Sequence, residues 1–247
     1  MSIMKQSLII KKLHAKLFYN LYPSFFLILF SLNSYSQNSY SDEIELWSSV
    51  KYSHQFSKKL SLSVEGQLRI NGNGKYFDES YYNQSFYEIE TKYKLSKRFD
   101  IALAYRGINK YDDQGNSQGS NAFKRFHSFI KYGENFNRLR VESRLQYQIR
   151  NKGKVDLSSP DKTYWRKKML FSYNFKKWKA DPEIGAEFFF KKNLNLKQNY
   201  DAYRLLLGTK LNSKGMGDVS IKYIFEKTVN TQSPLSIHIL KIGYALD

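Results

Sequence analysis

Hydrophobic and polar residues alternate with a period of two along most of the chain. In the segment 60–70 the aliphatic residues occupy alternate positions, and polar or charged residues fill most positions between them. The segment 138–150 repeats the pattern. Successive side chains of a strand point to opposite faces, so this alternation predicts β-strands with one face in an apolar environment. The strands are about 10 to 13 residues long, which is longer than most soluble strands and sufficient for a tilted strand to cross a bilayer.

A short polar turn flanked by apolar residues recurs roughly every 39 residues, which indicates a repeated hairpin. The five copies are centred on Ser57, Ser96, Asn135, Lys176 and Ser213. Longer polar segments separate the hairpins, at 71–82, 110–121, 151–162 and 192–198. Short turns at one end and long loops at the other are typical of outer-membrane barrels.

The predicted fold is therefore all-β: a transmembrane antiparallel up-and-down β-barrel. Eleven strands can be read from the sequence, the first at Ile44–His54 and the last at Ile237–Leu246. Because single-chain bacterial barrels have even strand numbers, we expect 12 strands, with 10 as the fallback. Aromatic residues cluster near the predicted turns, where an interfacial girdle would lie. They are Tyr93, Phe99, Tyr132, Phe136, Tyr173, Phe175 and Trp178.

The first residues have the features of a secretory signal peptide. Four lysines, at positions 5, 11, 12 and 16, precede the short apolar run 23–32, and small residues stand at Ser34 and Ser36. The apolar run is too short to span a bilayer as a helix, so we expect cleavage near Ser36 and Gln37. The predicted organisation is a signal peptide at 1–36 and a barrel at 37–247, located in the outer membrane of a Gram-negative cell.

The chain has a formal net charge of +18, and the predicted fold must accommodate this excess of basic side chains. Such an excess often indicates nucleic-acid binding, but an exported barrel makes nucleic acid an unexpected partner. If the apolar face points toward lipid, the charged face lines the lumen, and basic groups there attract anions. The predicted lumen arginines, a candidate anion path, are Arg69, Arg106, Arg125, Arg138, Arg140, Arg144, Arg150, Arg166 and Arg204. The opposite interpretation, a plugged interior whose charges pair across strands, stays open at this point.

The segment ELWSSVKYSHQFSKKLSLSVEGQLRI, at 45–70, and the segment YKLSKRFDIALAYRG, at 93–107, resemble the family called domain of unknown function 2490. The resemblance extends to the C-terminal strand. It implies an outer-membrane barrel with no established activity, and it therefore transfers no catalytic or ligand-binding residue to this chain.

Candidate chemistry outside the lumen is sparse. The chain has no cysteine, which excludes disulfides and thiolate sites. His127 and Ser128 are adjacent in a strand and so point to opposite faces, whereas His238 and Ser236 share a face. That pair motivates one alternative, a lipid-modifying outer-membrane enzyme; a secreted soluble β-barrel or sandwich that binds a ligand is another. The leading hypothesis is a non-enzymatic barrel without cofactor or metal, either a narrow anion-preferring pore or a structural envelope protein. Its expected partners are outer-membrane lipids, the barrel assembly machinery and small anionic solutes.

Overall fold

The computed structural model describes residues 42–73, 80–111, 120–153, 162–176, 180–192, 198–213 and 217–246. The predicted signal peptide at 1–36 lies outside the described residues. The described residues form a closed barrel. Its strands are β1 (Asp42–Gln55), β2 (Leu60–Asn73), β3 (Ser80–Lys94), β4 (Phe99–Tyr111), β5 (Ser120–Phe136), β6 (Leu139–Lys152), β7 (Lys162–Tyr173), β8 (Ala180–Lys192), β9 (Gln198–Ser213), β10 (Gly217–Thr228) and β11 (Ser236–Leu246). No described segment is a helix of the length and apolarity that crossing a membrane requires.

Each strand pairs with its neighbours in the chain in antiparallel fashion, as the alternation of turns and loops predicts. The expectation of 12 strands, or of 10, is wrong, because the described wall closes with eleven. In an up-and-down sheet with an odd number of strands, the first and last strands run in the same direction. The closing pair, β1 with β11, is accordingly parallel, in register from Asp42 opposite Ser236 to Tyr52 opposite Leu246.

The predicted serine turns are confirmed at the first two hairpins. Between β1 and β2, the Ser57 Oγ accepts hydrogen bonds from the backbone N–H groups of Lys59 and Leu60, at 3.2 and 3.0 Å. Between β3 and β4, the Ser96 Oγ accepts the equivalent bonds from the N–H groups of residues 98 and 99, both at 3.1 Å. The same three-residue motif therefore folds into the same turn twice, and we call this end of the barrel the turn end.

The third hairpin turns two residues later than predicted. Strand β5 continues through Asn135 to residue 136, and the turn consists of Asn137 and Arg138. Asn137 has a φ of 58°, the left-handed conformation that asparagine tolerates better than most residues. The predicted turns around Lys176 and Ser213 include residues 177–179, with Trp178, and 214–216, and the predicted long loops include 74–79, 112–119, 154–161 and 193–197. These segments lie outside the described residues.

The apolar face of the wall points outward and the polar face points into the barrel. On β4, Leu103 is 70% exposed, whereas its neighbours Ala102 and Ala104 face inward and are buried. On β2, Val64 is exposed while Ser63 and Gln67 are buried. This is the reverse of a soluble barrel, in which the apolar residues fill the interior, and it places the charged side chains in the lumen.

Candidate functional site in the lumen

The interior of the barrel contains a cavity of about 400 Å³ that is lined by residues from all eleven strands. Ten basic side chains contribute to its lining, against four acidic ones. The basic ones are Lys51, Arg69, Arg106, Arg125, Arg144, Arg166, Lys168, Arg204, Lys222 and Lys241. The acidic ones are Glu65, Glu88, Glu90 and Glu187. The lining therefore carries a positive excess, as the strand pattern predicts.

Arginines and aromatic rings alternate around part of this cavity in what we call the arginine–aromatic belt. Its members, in spatial order, are Arg166, Phe189, Arg204, Trp47, Arg69, Phe86 and Arg106. The guanidinium of Arg69 lies 3.7 Å from the centre of the Trp47 ring, and that of Arg106 lies 3.7 Å from the centre of the Phe86 ring. A guanidinium over an aromatic face is attracted by the ring quadrupole, and more strongly where water is excluded.

The belt extends across the lumen as well as along the wall. Arg204, on β9, stacks on the ring of Trp47, on β1, at 5.2 Å, although β10 and β11 lie between them in the wall. Trp47 also packs with Ile224 and Ile239 in a small buried apolar cluster. Packed side chains therefore occupy the lumen beside the parallel β1–β11 seam at the level of Trp47.

Glu187 is the centre of the ion-pair network. One of its oxygens lies 2.8 Å from Arg166 and 3.6 Å from Arg144, and the other lies 3.5 Å from Arg204. Its side chain is only 9% exposed. A single carboxylate on β8 thus contacts arginines from β6, β7 and β9, and Arg204 has a second carboxylate partner, Glu226 on β10, at 2.5 Å. Charge-assisted hydrogen bonds of this kind are stronger than neutral ones.

Further ion pairs connect strands that are not adjacent. Lys222 on β10 lies 2.5 Å from Glu183 on β8, and Lys241 on β11 lies 3.6 Å from Glu65 on β2. The side chains of each pair reach across the inner face of the strand that lies between them in the wall. The interior is therefore braced across the wall in addition to the backbone ladder.

The structure places the predicted lumen arginines in three groups. Arg69, Arg106, Arg144, Arg166 and Arg204 line the cavity and contact the belt or its carboxylates. Arg125 also lines the cavity, and Arg150 lies opposite it on the next strand. The other two are near the turn end.

Of those two, Arg140 is 46% exposed and bonds Glu142 and Asn135. The placement of Arg138 in the lumen wall is wrong. It lies in the β5–β6 turn and is exposed, because the strand ends before it.

Sequence reasoning did not identify the aromatic half of the belt. The sequence pattern predicts charged residues in the lumen and an aromatic girdle near the turns, and it makes no prediction for Trp47, Phe86 and Phe189. The alternation along β1 does contain a signal for Trp47. This residue is separated from Glu45 and Lys51 by even numbers of positions, so all three side chains lie on the same face of the strand. The Trp47 indole N–H donates to the Glu45 carboxylate at 2.5 Å, which satisfies the one polar atom of the ring.

The described histidines have other partners than a serine. The Nδ1 atom of His238 shares a hydrogen bond of 2.7 Å with the Tyr223 hydroxyl. His127 lies with Glu88 and Glu90 in an arrangement whose ligand atoms fall within 4.8 Å of one another, a spacing that a metal ion can use. However, Arg106 already donates to Glu88 at 2.6 Å, so this cluster is part of the ion-pair network.

Comparison with known proteins identifies a family but no characterised relative. A family model described as "Protein of unknown function (DUF2490)" matches residues 44–233, which is most of the described barrel. No curated protein and no solved structure matches the chain.

Proposed function

The chain belongs to the DUF2490 family of proteins of unknown function, and because that description names no activity, we propose a function from the geometry of the barrel. We propose that it is a structural protein of a Gram-negative outer membrane, exported by a signal peptide that is cleaved near Ser36. In this proposal the strands cross the bilayer, the lumen is closed, and the protein catalyses no reaction. The observation that carries the proposal is the inverted polarity of the wall, apolar outside and charged inside.

The outer face of β4 and β5 illustrates this polarity. Phe99 pairs with Tyr132 at the turn end, with ring centres 5.1 Å apart, and Tyr105 pairs with Phe126 farther along, at 4.9 Å. Exposed aliphatic residues, among them Leu103, lie between these two aromatic pairs. The pairs are six residues apart, or about 20 Å along the strand. Aromatic residues flanking an aliphatic band match the interfaces and the hydrocarbon of a bilayer.

Replacing Leu103 by Arg tests the bilayer assignment. A charge at the middle of a lipid-facing strand costs about 2–4 kcal/mol, whereas an exposed substitution in a soluble protein changes stability by about 0.5 kcal/mol or less. We expect the variant to lose a large part of its folding free energy in lipid vesicles. The measurement is the folded fraction at increasing urea concentrations, read on a gel from the band of the unheated, folded protein. The control is Lys58→Arg in an exposed turn. An unperturbed Leu103→Arg variant, or a wild-type chain that stays in the aqueous phase on detergent extraction, would favour the soluble binding protein instead.

The closed lumen follows from the belt and from the pairs that brace it. Reconstitution in a planar bilayer is the test, and the wild-type protein is expected to give no steady conductance. Removing two belt rings, by Trp47→Ala with Phe189→Ala, is expected to produce anion-preferring conductance. The matched control removes two outward-facing side chains, by Tyr52→Ala with Leu205→Ala, and is expected to give no steady conductance.

The second candidate is a narrow anion-preferring pore. The observation that favours it is the ratio of ten basic to four acidic side chains around the cavity. Steady anion-selective conductance of the wild-type protein would establish this candidate and refute the closed barrel. The enzymatic alternative predicts that lipid turnover falls in a His238→Ala strain; unchanged turnover counts against it.

A further inference from the structure

A row of cationic side chains crosses four adjacent strands on the inner face of the barrel. Arg106 on β4 lies opposite Arg125 on β5, Arg125 opposite Arg150 on β6, and Arg150 opposite Lys162 on β7. Directly paired residues of an antiparallel sheet point to the same face, with Cβ atoms about 5 Å apart. Like charges in these positions destabilise the sheet unless a counter-charge lies between them.

The carboxylates of the lumen leave the centre of this row uncompensated. Arg106, Arg144 and Arg204 each have a carboxylate oxygen within 4.0 Å. Among the described residues, neither Arg125 nor Arg150 forms such an ion pair, and the Nε–H group of each is buried without a hydrogen-bond partner.

The backbone of both arginines is held in the wall, and the Arg150 side chain is held in addition by a ring. Arg125 and Arg150 lie within β5 and β6, and the Arg150 guanidinium stacks 4.9 Å from the centre of the Phe123 ring. Both are partly exposed, so solutes in the lumen can reach them. Two guanidinium groups on paired residues, each with a buried Nε–H donor that has no partner among the described residues, therefore lie side by side without a carboxylate of their own.

We propose that Arg125 and Arg150 form a binding site for the phosphate group of a small soluble molecule. A guanidinium fork donates two parallel hydrogen bonds to an oxyanion. A carboxylate has two oxygens and satisfies one fork, whereas a phosphate dianion has enough oxygens to accept from both. Because both side chains are on the inner face, the phosphate belongs to a solute in the lumen and not to a lipid headgroup. The site exists whether or not the lumen conducts ions.

Inorganic phosphate is the probe, titrated calorimetrically into the refolded full-length chain in detergent micelles at low ionic strength. We expect saturable binding to one site, and an affinity at least tenfold lower for Arg150→Gln. Arg150→Lys keeps the charge but loses the fork, and is expected to bind more weakly than wild type and more tightly than Arg150→Gln. The control is Arg138→Gln, which removes the same charge from the exposed turn and should change the affinity less than twofold.

A charge reversal keeps the proposal testable if the other variants fold poorly. Arg150→Glu supplies an internal counter-charge to Arg125, so the urea midpoint in phosphate-free buffer is expected to rise above that of wild type, and phosphate binding is expected to disappear. The proposal is overturned if phosphate acts no differently from chloride at equal ionic strength, if Arg138→Gln weakens binding as much as Arg150→Gln, or if Arg150→Glu lowers the midpoint.

Discussion

Replacing Glu187 by Gln removes the one negative charge that three arginines share. The side chain keeps its shape, so the change tests electrostatics with little effect on packing. Arg166, at 2.8 Å, is itself only 12% exposed, and Arg144 lies 3.6 Å from the same carboxylate. Arg204 keeps Glu226 at 2.5 Å, so the charges left uncompensated are those of Arg166 and Arg144. Breaking a buried ion pair by removing one partner costs about 3–5 kcal/mol, because the remaining charge stays buried and uncompensated.

That cost can be measured by urea unfolding of the barrel in lipid vesicles, followed by tryptophan fluorescence. With a urea slope of about 2 kcal/mol per molar, a loss of about 4 kcal/mol lowers the midpoint by about 2 M. The control is Glu142→Gln, whose closer partner Arg140, at 2.7 Å, is 46% exposed and whose second partner Lys131, at 3.7 Å, is 23% exposed. These more exposed contacts should contribute about 1 kcal/mol or less, and salt should screen them. Equal midpoints for the two variants would refute the assignment of Glu187 as the centre of the network.

The remaining predictions concern the wall and its turns, and are checked by the same urea titration. Ser57→Ala and Ser96→Ala each remove the hydroxyl that accepts two backbone N–H bonds; each should cost about 1 kcal/mol, and clearly unequal losses would contradict the equivalence of the two turns. Gly208→Ala would place a Cβ 2.8 Å from the backbone oxygen of Ile221 and should cost about 1–3 kcal/mol. Gly66→Ala meets no atom within 4 Å and should be close to neutral, so a loss as large as that of Gly208→Ala would show that close approach is not the cause.

Local pattern was sufficient for the elements of this fold and for the faces of its strands. The period of two, the serine turns and the length of the strands are local properties, and the eleven strands read from the sequence are the eleven in the described wall. The resemblance of 45–70 and 93–107 to the DUF2490 family is likewise confirmed by the family model. The inward direction of Arg69, Arg125 and Arg204 follows from the alternation of apolar and polar positions alone, because the side chains of a strand can point to only two faces.

Closure and contacts across the lumen were decided only by the tertiary structure. Alternation along each strand carries no information on which strands meet at the seam. The rule of even strand numbers therefore predicts 12 or 10, whereas the described wall closes with eleven through a parallel β1–β11 pair. The stacking of Arg204 on Trp47 joins residues far apart in the chain, and no local period encodes it. The same is true of the compensation of the arginines: Arg204 and Arg125 both lie on the inner face of the wall, yet of these two only Arg204 has the carboxylates of Glu187 and Glu226 within 4.0 Å. Alternation fixes the side of the wall on which a side chain lies, whereas the curvature of the closed sheet fixes what it meets there.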